Sequence, residues 1–343
     1  MKKSLLILVS CLLVLSITAC NGTKASTGTG TATAAATTSA AKTIRIAWID
    51  DTLDQTRAVM QKAVLDRIAA INAARSDVKL EFTYYDAQKS VDKQLSDTET
   101  ALLTKPDVVI FSCVDTFGSI PAVEKIHAAG IPIVDIRDIG RPDLVTTVFY
   151  GSDEATYAAA MTDWLKKKLA ADPKLVLNVG LIYGAAAQIQ QFPRCDLVKK
   201  LAQEMPDRVK IIAEKYGDWD TEKALNITED WIQSLPNLTY ICCANDIMAL
   251  GASNALVAAK KKDKVMVTGV DVTDEGVTLI QEDKQDSTVG ARLQDYNQMV
   301  DVAVGLVEGT FKDPTYTVKT VYVVDKSNVQ SYLDGTIKPY FDK

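Results

Sequence analysis

The 343-residue sequence contains a single histidine, His127. One His excludes a His-rich metal centre and a pair of His acid–base groups, and only His127 is left for a His-dependent triad. Its six cysteines include no C-x-x-C spacing, which removes the common zinc and dithiol redox motifs. There is no dense Lys/Arg block. Lys and Arg number 38 against 44 Asp and Glu, a net charge of −6, so nucleic acid is not an expected partner. Walker A, HExxH, nucleophile-elbow and dinucleotide motifs are absent; Gly180–Gly184 follows an apolar run but lacks the third glycine. Asp50 and Asp51 do not form a glycosidase pair, because adjacent residues in an extended chain face opposite ways. No enzymatic activity, metal or cofactor is expected.

The N-terminus reads as an address. Lys2 and Lys3 precede an apolar run, Leu5–Leu15, that is too short for a permanent span. The run ends in Ile17-Thr18-Ala19-Cys20, which resembles the bacterial lipoprotein processing box. Residues 1–19 are then a signal peptide and Cys20 carries a lipid. Of residues 21–42, 19 are Gly, Ala, Ser or Thr, which cannot bury a core and reads as a tether. No later apolar stretch reaches about 18 residues, so the rest of the chain is expected outside the bilayer. A lipid, a leash and a globular body describe a protein anchored on the outer side of a bacterial cytoplasmic membrane.

From Thr43 onward, strand-length apolar runs alternate with amphipathic segments. Strands are expected at 43–49, 78–84, 108–111, 133–136 and 145–149, with helices at 56–74, 91–103 and 121–129. The second half repeats the rhythm. Its helices are 153–169, with Ser152 as N-cap, then 193–204, 221–235, 246–259, 275–282 and 295–308. Its strands are 175–182, 209–216, 240–243, 265–270, 289–293 and 318–324. This predicts an α/β protein with two doubly wound parallel sheets. Cys113, Cys195, Cys242 and Cys243 are read as buried free thiols, with a disulfide as the alternative.

In such sheets ligands sit outside the carboxyl ends of the strands. Those positions hold Asp50, Asp51 and Asp54; Ser112 and Asp115; Arg137 and Asp138; Arg194; Trp219 between Asp218 and Asp220; Asn245 and Asp246; Asp271; and Arg292 and Gln294. Singly, Asp and Asn at strand-to-helix junctions are ordinary N-caps, the role expected for Asp153, Asp220 and Asp246. Together, carboxylates, amides and guanidinium groups beside one Trp suit a sugar-like ligand. Its hydroxyls take charged bidentate partners and its C–H face takes an aromatic plane.

Particular segments carry a family resemblance. Ala244-Asn245-Asp246-Ile247-Met248-Ala249-Leu250-Gly251-Ala252, Gly269-Val270-Asp271-Val272-Thr273, Gly217-Asp218-Trp219-Asp220 and Gly130-Ile131-Pro132-Ile133-Val134 resemble the ribose- and galactose-type periplasmic binding proteins, type I solute receptors of ABC importers. The resemblance covers about residues 43–325. It implies two lobes joined by three crossovers, the N-terminal lobe at 43–148 plus 294–322 and the C-terminal lobe at 149–293 plus 323–343. It also implies ligand roles for Asn245, Asp271, Trp219 and Arg194, with Ser112 at a position often occupied by Asn and Gln294 or Arg292 as the hinge-side contact. Two departures from the pattern point away from ribose or galactose itself. No aromatic follows the first strand, and the fourth strand ends Arg137-Asp138 where the family has Asp-Arg. The implied partners are a small sugar-like solute and an ABC permease, with the protein a monomer held by the lipid on Cys20. A receptor feeding a sensor kinase is the alternative.

Overall fold

The computed structural model describes residues 41–151 and 154–340. The processing box with Cys20, the tether up to residue 40, Ser152, Asp153 and the last three residues lie outside the described residues. The first half runs β1 (Lys42–Asp50), α1 (Gln55–Ala74), β2 (Val78–Asp86), α2 (Val91–Leu103), β3 (Val108–Phe111), α3 (Ile120–Ala128), β4 (Ile133–Asp135) and β5 (Thr147–Tyr150). There follow α4 (Glu154–Ala171), β6 (Leu177–Tyr183), α5 (Pro193–Glu204), β7 (Val209–Tyr216), α6 (Thr221–Ser234), β8 (Tyr240–Cys243), α7 (Asp246–Ala258), β9 (Met266–Val270), α8 (Asp274–Gln281) and β10 (Ser287–Gly290). The last elements are α9 (Gln298–Glu308), β11 (Thr315–Thr317), β12 (Tyr322–Asp325) and α10 (Val329–Leu333).

The described strands form two sheets of the same winding, β11-β5-β4-β3-β1-β2 and β12-β10-β9-β8-β6-β7. The first is parallel throughout; in the second only β12 runs antiparallel, against β10. Strand alternation explains the layering of the first sheet. Ile44, Ile46 and Trp48 of β1 face a core shared with Met60 and Val64 of α1 and Met299 and Val300 of α9. Ala47 and Ile49 face the opposite core, with Ala101 of α2 and Val123 and Ile126 of α3. The central strands are covered on both faces, so they read as nearly continuous apolar runs. Both sheets belong to one compact unit. The strand order reverses between β1 and β3 and between β6 and β8, which puts the ligand crevice at these carboxyl ends.

Three elements differ from the sequence reading. The strand expected at 318–324 is confined to β12 (Tyr322–Asp325) of the second sheet, with β11 (Thr315–Thr317) just ahead of it in the first. The apolar pattern of this segment does not state which sheet a strand joins. The helix expected at 295–308 starts as a 3-10 segment, Leu293–Asn297, before α9. The short helix α10 has too few residues to show a period. The chain passes between the sheets after β5, between β10 and α9, and between β11 and β12. Among the described residues Cys195, Cys242 and Cys243 are buried free thiols, and Cys113 is buried as well.

Candidate ligand-binding cleft

Between the strand ends of the two sheets lies a cavity of about 370 Å³. Its described wall takes Asp54, Arg57, Arg137, Asp138 and Tyr150 from the first sheet's side, and Glu154, Arg194, Trp219, Asn245 and Asp271 from the second's. Thr56, Met60, Ile136, Leu293 and Tyr296 also line it.

On the first side, Asp54 caps α1 by accepting the Arg57 N–H at 2.8 Å. The cap places Arg57 in the opening turn, where its guanidinium points back to the strand ends. It lies 3.3 Å from an Asp50 oxygen and 3.4 Å from an Asp51 oxygen. Asp50 is fully buried and accepts from the Ser112 hydroxyl and, at 2.8 Å, from the Tyr84 hydroxyl. Burial pushes its carboxyl up. Burial also opposes ionisation of Asp51, but Arg137 and Arg57 outweigh it and hold that carboxyl below the usual range. An Asp51 oxygen accepts from Arg137 Nη2 at 3.1 Å, while the buried Arg137 Nε has no hydrogen-bond partner among the described residues. Asp138, in a left-handed conformation at φ 54°, accepts from the Tyr150 hydroxyl at 2.7 Å.

On the second side, Arg194 is bidentate to Glu154 at 2.5 and 2.9 Å. Its Nη1 donates to Asp271 at 3.1 Å and to the Ala244 carbonyl at 2.9 Å. Asp271 and Val272 take φ values of 102° and 51°. A β-branched residue in the left-handed region is an outlier, and strain of this kind collects at ligand sites. Trp219 follows Asp218 in a left-handed pair, φ 59° and 51°. Its indole lies against Gly184, where a Cβ would run into the ring. The Arg137 and Arg194 guanidinium carbons each sit 5.8 Å from the Trp219 ring centroid. Its Nε1–H donates to the Gln188 side chain at 2.7 Å.

Of the positions read from sequence, Asp54, Arg137, Asp138, Arg194, Trp219, Asn245 and Asp271 lie on the cavity wall. Asp50, Asp51 and Ser112 do not; they form the buried support for Arg57 and Arg137. Asp115 is also off the wall. It accepts from the Phe117 and Gly118 N–H groups at 2.8 and 2.6 Å, turning the chain into α3. Arg292 lies elsewhere, 5.1 Å over the rings of Tyr322 and Tyr332, and Gln294 is exposed. The 3-10 segment instead turns Leu293 and Tyr296 to the cavity, with the Tyr296 hydroxyl packed on Gly151. The α7 cap is Asn245, accepting the Met248 N–H at 2.9 Å, and not Asp246. Asp246 is buried and accepts from Thr273, Gln285 and Thr288, fastening α7 to the loops around β9 and β10. Asp220 caps α6 through the Lys223 N–H at 2.7 Å.

Sequence reasoning missed Arg57, Glu154, Tyr150, Tyr296 and Gln188. Arg57 was findable, since the third residue after an N-cap can reach back to the strand ends. Tyr296 carried no motif. Trp219 therefore shares the cavity with two tyrosine rings, although no aromatic follows β1.

Two sheets wound alike, with a polar cavity at their apposed carboxyl ends, define the architecture of a type I periplasmic binding protein. The chain belongs to the periplasmic binding protein domain family, whose model matches residues 31–310. It is 24% identical over 280 residues to a xylitol-binding protein of Mycolicibacterium smegmatis, covering 76% of each chain. It is 26% identical over 204 residues to a ribose import binding protein of Bacillus subtilis, covering 60% of this chain and 64% of that one. Among solved structures it resembles an ABC transporter solute-binding protein from Bacillus halodurans with bound myo-inositol. The TM-score is 0.75 at 25% identity, over 86% of this chain and 98% of that one. The resemblance to ribose-type binding proteins and the two-sheet α/β fold expected from sequence are both borne out.

Proposed function

We propose that this protein captures a small sugar or polyol between two lobes, 43–148 plus 294–322 and 149–293 plus 323–343, and delivers it to an ABC import permease. The cavity wall carries the reading. Three guanidinium groups, four carboxylates and Asn245, among the described residues, converge with Trp219 on a space of about 370 Å³. Carboxylates accept from hydroxyl groups, guanidinium groups donate to their oxygens, and the ring covers a C–H face. The relatives named for xylitol and ribose, and the structure holding myo-inositol, support polyhydroxylated ligands. Asp271, Asn245 and Arg194 hold hydroxyls from one side, with Arg137, Asp138 and Asp54 opposite. No bond in the solute is broken: the protein is a carrier and not an enzyme. It acts as a monomer, outside the cytoplasmic membrane, through a lipid on Cys20.

A thermal-shift panel of pentoses, hexoses, linear polyols and cyclitols tests the ligand class. A ligand at 100 times its Kd stabilises the protein by about 2.7 kcal/mol. A panel without a shift refutes the sugar reading. Loss of uptake of the identified solute on deleting the protein supports import. Intact uptake with a lost transcriptional response supports the sensor-kinase reading instead.

A further inference from the structure

One buried amide ties the two sides of the cleft together. Gln188, in the loop after β6, is 3% exposed. Its Oε1 accepts from Trp219 Nε1 at 2.7 Å. Its Nε2 reaches across to the other side, 3.1 Å from an Asp51 oxygen, 3.2 Å from the Cys113 carbonyl and 3.3 Å from the Val114 carbonyl. Next to it, the Thr116 N–H donates to the Ala187 carbonyl at 3.0 Å. Gln188 is not on the described cavity wall, so it acts through its neighbours. One of these is the ring at the solute. The other is the carboxylate that holds Arg57 and Arg137.

We infer that Gln188 is a latch: a positioning residue that stabilises the closed state and aligns Trp219 with the Asp51-held arginines. The inference rests on the reading that the lobes close around a solute. When they part, Gln188 stays with Trp219 and gives up Asp51 and the two carbonyls, all three on the ends of β1 and β3. Water then satisfies those acceptors. The latch is therefore reversible, and its value lies in the bond to a charged acceptor, which is stronger than a neutral one. A residue of this kind sets the closed fraction, and the apparent affinity scales with that fraction.

Two variants separate latch from packing. Gln188→Met keeps the length and apolar bulk and removes the amide bonds. Gln188→Glu keeps an acceptor for Trp219 but sets a carboxylate against Asp51. The readout is hydrogen exchange at the Thr116 amide, whose partner lies across the cleft, with D-ribose, xylitol and myo-inositol as probes. The expected result is exchange faster by roughly tenfold in Gln188→Met, and by more in Gln188→Glu, in ligand-free protein. Amides of β1 and β6 keep their wild-type protection. For a probe that binds, Kd rises by a similar factor through faster dissociation, with association nearly unchanged. Unchanged Thr116 exchange in both variants overturns the latch, as does a general loss of protection reaching β1 and β6. If no probe protects the wild type, the sugar reading fails, while the ligand-free exchange of the variants still decides for or against the latch.

Discussion

Replacing Trp219 by alanine removes an aromatic ring from the cavity wall. The ring is 8% exposed, lies against Gly184 and faces the cavity. With so little of the residue left exposed, a solute gains mainly the stacking contribution, ~0.5–1.5 kcal/mol, and the indole also holds its hydrogen bond to Gln188, about 1 kcal/mol. Trp219→Ala removes both and should cost roughly 1.5–2.5 kcal/mol of binding, or about 10- to 70-fold in Kd. Trp219→Phe is the informative control. It keeps a ring but removes the Nε1–H that Gln188 accepts at 2.7 Å. A lost hydrogen bond of about 1 kcal/mol predicts binding weaker by roughly fivefold. Isothermal titration with the sugar giving the largest thermal shift measures all three proteins, and circular dichroism melts establish that the variants fold. Equal affinity in Trp219→Ala and wild type refutes the reasoning. The apolar platform would then be Tyr150 or Tyr296, and the left-handed backbone at Asp218 and Trp219 would serve packing alone.

The remaining expectations concern the opposite wall, the buried carboxylates and the N-terminus. Asp271→Ala removes an acceptor and leaves Arg194 held by Glu154, so binding should weaken roughly 10- to 100-fold with the fold intact; loss of folding without a separate effect on affinity contradicts the ligand role. Burial pushes the Asp246 carboxyl up to about 7, against about 4 in an unfolded chain. Between these values the folded state keeps a proton that the unfolded state has released. The stability this group contributes is therefore full below about pH 4 and lost as pH rises through about 7. The difference in melting temperature between wild type and Asp246→Asn should accordingly shift against the wild type from pH 4 to 8, and a pH-independent difference contradicts the assignment. Cys20→Ala should leave the protein unprocessed or free in the soluble fraction; normal cleavage with retention on membranes would rule out the lipid.

The alternation of apolar runs made the winding of both sheets legible, because the central strands are covered on both faces and the connecting helices are long enough to show their period. The strand-end rule then pointed to Asn245, Asp271, Trp219 and Arg194, whose neighbours carry distinctive spacing. It pointed equally to Asp50, Asp51 and Ser112, and there it could not rank solute contact against support. That ranking depends on Arg57, which enters from the next helix and covers all three. Gln294 fell outside the wall because it lies in a 3-10 segment and not on an extended strand end, and Arg292, just before that segment, lies over Tyr322 and Tyr332 instead. Gln188 had no signal, since its partners lie 31, 75 and 137 positions away in sequence.

The interleaving of β11 and β12 bears on how the polypeptide matures. The first sheet receives its edge strand, Thr315–Thr317, only after five of the six described strands of the second have been made. Neither lobe is a continuous piece of chain, so synthesis from the N-terminus cannot finish one lobe before starting the other. The first lobe waits through about half the chain with β5 unpaired on its outer side and without α9 over its core. An open strand edge and a bare apolar face are the usual starting points for misassociation. The last two strands to be synthesised, β11 and β12, are edge strands of the two sheets and lie within a few residues of each other. The third crossover between the sheets is thus the last to be synthesised, and the second sheet has all its strands only after it.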